Sequence, residues 1–81
     1  MDKWLWHARL VGTRTLASKV VRLGFLKVNG VRIRKASSLT KQGDTLIFPY
    51  NGQIKAIEVL LLPDKRVAAR DAVKVYLELQ I

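Results

Sequence analysis

The amino-acid sequence predicts an α+β fold in the order helix, helix, hairpin, hairpin, helix. Three observations carry that prediction. Apolar residues recur at helical spacing over positions 3–23. Two Asn-Gly pairs, Asn29-Gly30 and Asn51-Gly52, each separate strand-like runs. Helical spacing then returns near the end of the chain. With 81 residues, 49% of them hydrophobic, the sequence supplies one modest core and is expected to form a single domain over 1–81.

Residues 3–11 read as a first helix, because Trp4, Ala8 and Val11 fall on one face at i, i+4 and i+7. Gly12 ends it. Thr13 is placed to cap a second helix, in which Leu16, Val20 and Leu23 repeat the same spacing and Ala17 and Val21 widen the stripe. Arg14, Ser18 and Arg22 recur at i, i+4 and i+8 on the other side, with Lys19 beside them. Gly24 stands where a helix C′ glycine belongs. Trp4 and Trp6 lie two apart and so point in different directions. One is expected in the core. The other is expected partly exposed, either as packing or as a surface on which a base or sugar stacks. Phe25 reads as a lid over the helix end in preference to a stacking residue.

Asn29-Gly30 favours a two-residue type I′ turn. Pairing outward matches Val28 with Val31, Lys27 with Arg32, Leu26 with Ile33 and Phe25 with Arg34. One face then carries Leu26, Val28, Val31 and Ile33, and the other carries Phe25, Lys27, Arg32 and Arg34. Residues 35–44 form a polar connection with a turn at Gly43-Asp44. Thr45–Tyr50 and Gln53–Leu62 read as a second hairpin, in which Pro49 predicts an edge or a bulge. Pro63 and Asp64 open a final helix at about 66–79, with Ala69, Ala72, Val73 and Tyr76 as its stripe.

Charge is distributed unequally over these elements. The formal net charge is +9, and all of it lies in residues 1–43, where Asp2 is the one acid. Residues 44–81 are balanced. A solvated charged surface is the ordinary explanation for Lys and Arg. Against it, the bases recur on one side of the second helix and one face of the hairpin, where acids are nearly absent, and Lys27 and Arg32 stand directly opposite each other. Neutral donors (Thr13, Ser18, Asn29, Ser37, Ser38) are interspersed, as at phosphate- and sugar-contacting surfaces. The pattern predicts a polyanion partner. A membrane surface fits less well, because the apolar stripe of the basic helix is better used as core.

Catalytic chemistry finds no foothold in the sequence. Cysteine is absent, which excludes disulfides, thiolate metal sites and a Cys nucleophile. His7 is the single histidine and has no neighbouring co-ligand pattern. The carboxylates (Asp2, Asp44, Glu58, Asp64, Asp71, Glu78) are scattered, and no GxxxxGK or GxGxxG loop occurs. The expectation is a non-enzyme with no metal, cofactor or small-molecule substrate. No run reaches the ~18–20 apolar residues of a membrane span, and Lys3, His7 and Arg9 break the opening segment, so a cytoplasmic protein without a membrane partner is expected.

Together, Asp2-Lys3-Trp4-Leu5-Trp6, Thr13-Arg14-Thr15-Leu16-Ala17, Gly24, Val28-Asn29-Gly30, Lys35-Ala36-Ser37-Ser38 and Gly43-Asp44 resemble the S4 RNA-binding domain family. The likeness covers a core motif of about 2–48, with the second hairpin and last helix making up 49–81. It is strongest to the stand-alone, ribosome-associated bacterial members, of the heat-shock and quality-control types. Ala36 departs from the proline often found there. The resemblance implies an alpha-L motif, two N-terminal helices packed on a small antiparallel sheet, with the second helix and the following hairpin docking structured RNA. It further implies rRNA and peptidyl-tRNA on the large (50S) ribosomal subunit as partners, in rescue or recycling of stalled subunits, alone or with a nascent-chain tailing factor. The contact positions it implies are Lys3, Arg9, Thr13, Arg14, Lys19, Arg22, Lys27, Asn29, Arg32, Lys35 and Ser37. A general DNA- or mRNA-binding module, a protein-interaction adaptor and a non-catalytic subunit of an RNA-modifying complex stay open as alternatives. Such a basic face would neutralise phosphates and read A-form shape rather than base sequence.

Overall fold

A computed structural model describes residues 1–80. Its first element, α1, spans Asp2–His7 and buries Trp4 and Leu5. The helix expected over 3–11 therefore stops four residues early. Arg9 takes a left-handed conformation (φ 62°). Its N–H donates to Trp6 O at 3.0 Å and the Leu10 N–H donates to Leu5 O at 3.1 Å. These are the two bonds of a Schellman stop, closed by the buried pair Leu5 and Leu10. The position usually held by glycine holds arginine here, so the stop was hidden in the sequence.

Helix α2, Arg14–Arg22, begins as predicted: Thr13 is its N-cap and accepts the Leu16 N–H at 3.0 Å. It ends as predicted too, with Gly24 at φ 78°, and Gly24 and Phe25 N–H groups donating to Val21 and Val20 carbonyls. The face it buries differs from the expected one. Ala17 and Val21 are fully buried, whereas Leu16 is 48% and Leu23 52% exposed. The line of burial runs between the leucine stripe and the Arg14/Ser18/Arg22 stripe. Both stripes flank the core, and the small residues let α2 approach α1.

The sheet contains five antiparallel strands: β1 (Leu26–Val28), β2 (Val31–Ile33), β3 (Thr45–Tyr50), β4 (Gln53–Val59) and β5 (Tyr76–Leu79), in the order β2-β1-β3-β4-β5. The first hairpin has the predicted register, Leu26 with Ile33, Lys27 with Arg32 and Val28 with Val31. Asn29 and Gly30 both have positive φ, as a type I′ turn requires. The second hairpin pairs Tyr50 with Gln53 around Asn51-Gly52. Pro49 is tolerated because β1 pairs with β3 only at Ile47 and Leu46. Counting outward from the turn, Pro49–Ile54 is a non-hydrogen-bonded pair, so its missing N–H would have faced the side with no strand.

Two expectations fail in the last third. The second arm of the hairpin ends at Val59 rather than Leu62, because the Leu60 and Leu61 N–H groups both turn to Val75 O. The helix expected at about 66–79 is absent; a 3₁₀ turn at Ala69–Lys74 leads into β5 instead. Of the predicted stripe only Ala72 is buried, and Val73 is 72% exposed. The decisive contact is tertiary. The outer edge of β4 lacks a neighbour until Tyr76–Leu79 pairs with it, from Val59–Tyr76 to Ala56–Leu79.

Leu26, Leu46, Phe48, Ile57 and Val59 share one face of the sheet and form the core with Leu5, Ala17 and Val21 of the helices. The S4-like architecture predicted from the sequence, a helix pair on a small antiparallel sheet, is present. No helix is long and apolar enough to cross a membrane among the described residues.

Candidate nucleic-acid interface

The start of α2 places Arg14 between two grooves that carry other predicted residues. Arg14 lies at the junction of two grooves. A shallow one, about 490 Å3, runs along α2 past Thr15, Ser18 and Arg22. A deeper one, about 700 Å3, opens between α1, the loop after β2 and the segment after β4, and includes Lys3 and Ser37. Asp2 borders both, and its carboxylate stands 3.8 Å from Arg14 Nε. At half-exposed Arg14 that pairing is worth little. It does mean that the single acid of the basic half stands beside Arg14 in both grooves.

Lys27 and Arg32 are cross-strand partners, as predicted. Leu26 and Val28 point into the core, so alternation puts Lys27 and Arg32 on the sheet face turned away from the helices. The basic surface is therefore divided between the helix side and the outer sheet side. Lys19 is exposed on α2, and Lys35 is exposed in the loop after β2.

Three further predicted residues have internal duties. Arg9 Nε donates to Val67 O at 2.6 Å and ties the end of α1 to the last third of the chain. The Thr13 hydroxyl caps α2. Asn29 Nδ2 donates to Asp44 Oδ1 at 3.0 Å, while its Oδ1 accepts the Thr45 N–H at 2.9 Å.

Asp44, 4% exposed, is the hub of this last cluster. Its Oδ2 accepts the Thr40 hydroxyl and the Lys41 N–H, each at 3.0 Å. Burial pushes the carboxyl pKa up, but hydrogen bonds from Lys41, Asn29 and Thr40 outweigh burial and hold it below the usual carboxylate value. The ion locks the first hairpin, the 35–44 loop and β3 into one arrangement.

Trp4 and Trp6 divide as the sequence suggested. Trp4 is buried, with Nε1 donating to Leu61 O at 2.9 Å. Trp6 is half-buried beneath the Arg66 guanidinium, 5.2 Å from its ring, and Arg66 Nε donates to Trp6 O. His7 Nδ1 meets Pro63 O at 3.2 Å. Phe25 is 52% exposed. Among the described residues, no group of three or more His, Asp or Glu gathers as metal ligands.

Sequence reasoning missed Leu39, Thr40, Leu62 and Asp64, which line the deeper groove. Leu39 carried a faint signal, an isolated apolar residue in an otherwise polar connection. The others come together only through the fold. Arg34, on the predicted basic face but outside the implied contact set, lays its guanidinium over Gly24 at the end of α2.

A helix pair on a twisted sheet, with cations around the helix junction and along the first hairpin, defines a small surface-binding domain. The S4 domain model matches residues 1–46, more than half of the chain. The chain belongs to the S4 domain family. It is 33% identical over 78 residues to the heat shock protein 15 homolog of Haemophilus influenzae, covering 96% of this chain and 59% of that protein. It is 38% identical over 64 residues to the RQC P-site tRNA stabilizing factor of Bacillus subtilis, covering 79% of this chain and 73% of that one. A trimeric structure of Vibrio cholerae heat shock protein 15 superposes with a TM-score of 0.90 at 35% identity, over 96% of this chain and 78% of that one. The chain thus spans about three fifths of the Haemophilus relative's length.

Proposed function

We propose that this chain is a non-catalytic binder of structured RNA that acts on the large ribosomal subunit. There it would hold rRNA and peptidyl-tRNA while a stalled nascent chain is rescued or extended. The observation that carries the reading is the cationic junction of α1 and α2, where Arg14 borders two grooves within the segment matched by the S4 domain model. The name of the Bacillus relative, a P-site tRNA stabilizing factor, supplies the tRNA context. Lys3, Arg14, Arg22 and Ser37 would form the helix-side contact, and Lys27 and Arg32 a second contact across the outer sheet face. Lys19 and Lys35 would add exposed charge. Arg9, Thr13 and Asn29 would act mainly by holding the surface in shape. Lys and Arg neutralise phosphates and release counterions, so affinity should fall steeply with salt.

Sedimentation tests the reading. Tagged protein from cells, with and without translational stalling, is expected to co-migrate with free large subunits, more strongly after stalling. The double variant Arg14→Glu, Arg22→Glu is expected to move to the light fractions while staying folded. Glutamate at the first position of α2 suits the helix dipole but at Arg22, in the last turn, opposes it. The circular dichroism and unfolding midpoint of the variant are therefore compared with wild type before lost binding is assigned to lost contacts. Wild-type protein confined to the light fractions would overturn the proposal.

A further inference from the structure

We propose that the deeper groove beside Arg14 receives a single unpaired nucleotide, with its base inserted and its phosphate at the mouth. The inference rests on the RNA-binding reading and deepens it. The groove joins three chemistries. Lys3 and Arg14 supply cations at the rim, Leu39 and Leu62 supply apolar surface, and Thr40 and Asp64 supply oxygen atoms. Leu39 is 92% exposed, the extreme among the large apolar residues described, and Leu62 is 51% exposed.

No simpler ligand fits all three. A phosphate alone gains nothing from leucines and is repelled by Asp64 and Asp2. A purely apolar ligand leaves the cations without a role. A nucleotide carries an anionic phosphate, flat apolar base faces and polar base edges on one small body. Unpaired RNA bases splayed from a helix are recognised by stacking on flat side chains and through their Watson–Crick edges; here the two leucines offer the apolar contact in place of a ring. Charge complementarity favours RNA over a protein segment as occupant, because the groove opens beside the cationic junction and shares Arg14 with the groove along α2.

The oxygen atoms also restrict the base. The Thr40 hydroxyl spends its hydrogen on Asp44 Oδ2, so toward the groove it only accepts. The Asp64 carboxylate only accepts. His7 contributes the same polarity: Nδ1 donates to Pro63 O, which leaves Nε2 an acceptor in the neutral ring. With Lys3 and Arg14 kept at the rim for the phosphate and the Ser37 hydroxyl able to donate or accept, the three acceptors Thr40, Asp64 and His7 favour a base edge rich in donors. Guanine presents adjacent N1–H and N2–H groups to a carboxylate, whereas uracil presents one N–H between two carbonyls. The groove therefore favours guanine over uracil.

The test uses the full chain and three short RNA hairpins: a continuous stem, the same stem with one bulged G, and the same stem with one bulged U. Fluorescence anisotropy gives each affinity. The bulged-G hairpin is expected to bind about tenfold tighter than the continuous stem, the scale of burying one base face against apolar side chains. Leu39→Ala should abolish that preference and leave the continuous-stem affinity unchanged; its exposure makes misfolding no concern. Asp64→Asn should bring the G-to-U affinity ratio toward one. The ratio is insensitive to any uniform gain from removing a negative charge. Equal binding of all three hairpins, with both variants silent, would overturn the groove assignment while leaving RNA binding intact. In that case a protein segment becomes the occupant to seek. Failure to bind any of the hairpins, or large subunits, would remove both readings.

Discussion

Replacing Asp44 with asparagine changes one atom and should cost far more than its size suggests. In the native protein Oδ2 accepts from Thr40 and Lys41, and Oδ1 accepts from Asn29. An asparagine has one oxygen for these three donors. With its oxygen toward Thr40 and Lys41, its amide nitrogen meets the Asn29 amide, donor against donor. Flipping Asn29 relieves that clash but turns its own NH2 group against the Thr45 N–H, which now bonds to Oδ1. Every arrangement removes the charge-assisted hydrogen bonds at a residue only 4% exposed and leaves one donor without a protein acceptor, at a cost of about 2 kcal/mol. A domain of this length holds roughly 4–12 kcal/mol in all, so the loss is large. In urea at pH 7, with a slope near 1 kcal/mol per M, the midpoint should fall by about 2 M with the slope unchanged. Acid supplies an independent check. A native carboxyl held below its unfolded value of about 3.9 adds stability above that pH, and the gain disappears as pH falls through the native value. Wild type should lose this increment on acidification and Asp44→Asn should not, so the gap between them narrows. A midpoint at pH 7 within about 0.3 M of wild type would refute the hydrogen-bond reasoning, since that corresponds to only a few tenths of a kcal/mol.

Three further outcomes are expected. Gly24→Ala should destabilise by about 1–2 kcal/mol in thermal or urea unfolding, because φ 78° is costly for an L residue and the new Cβ would lie 2.9 Å from the Arg34 guanidinium; a neutral result would count against the left-handed stop of α2. Trp4→Phe should cost at least about 1 kcal/mol, since it leaves Leu61 O without the indole donor and opens space in the core; an unchanged midpoint would show that the bond contributes nothing. Arg22→Gln should reduce the slope of log affinity against log salt for a stem RNA by roughly 0.7–0.9, the value for one lost phosphate contact; an unchanged slope would place Arg22 outside the contact surface.

What the sequence disclosed depended on how local the cause was. The cap of α2 at Thr13, its stop at Gly24 and the register around Asn29-Gly30 are set by residues within one or two turns, and all three were readable. The end of α1 is equally local, but Arg9 occupies a position where glycine is the usual signal. Near the C-terminus, Ala69, Ala72 and Tyr76 have helical spacing, and no local rule announces that the edge of β4 will recruit Tyr76–Leu79. The surface followed the same division. Charge segregation was plain, as was the pairing of Lys27 with Arg32. Their separation from Arg14 by the thickness of the sheet depends on which hairpin face the helices cover. The groove lining joins residues from α1, the loop after β2 and the segment after β4, which no spacing rule connects.

The anchoring of α1 by the last third of the chain also bears on the order in which the protein is made. Trp4 bonds to Leu61, His7 O accepts from Val67, and Arg66 reaches back to Trp6 and Gly12. During synthesis the basic half emerges first, and these partners follow only after more than fifty further residues have been added. Until then α1 is held without them, by its packing on α2, and the deeper groove beside Arg14 lacks its Leu62–Asp64 wall. The newborn chain is therefore highly charged before it is shaped. Its deeper groove is completed late in translation, by a segment that carries no net charge of its own.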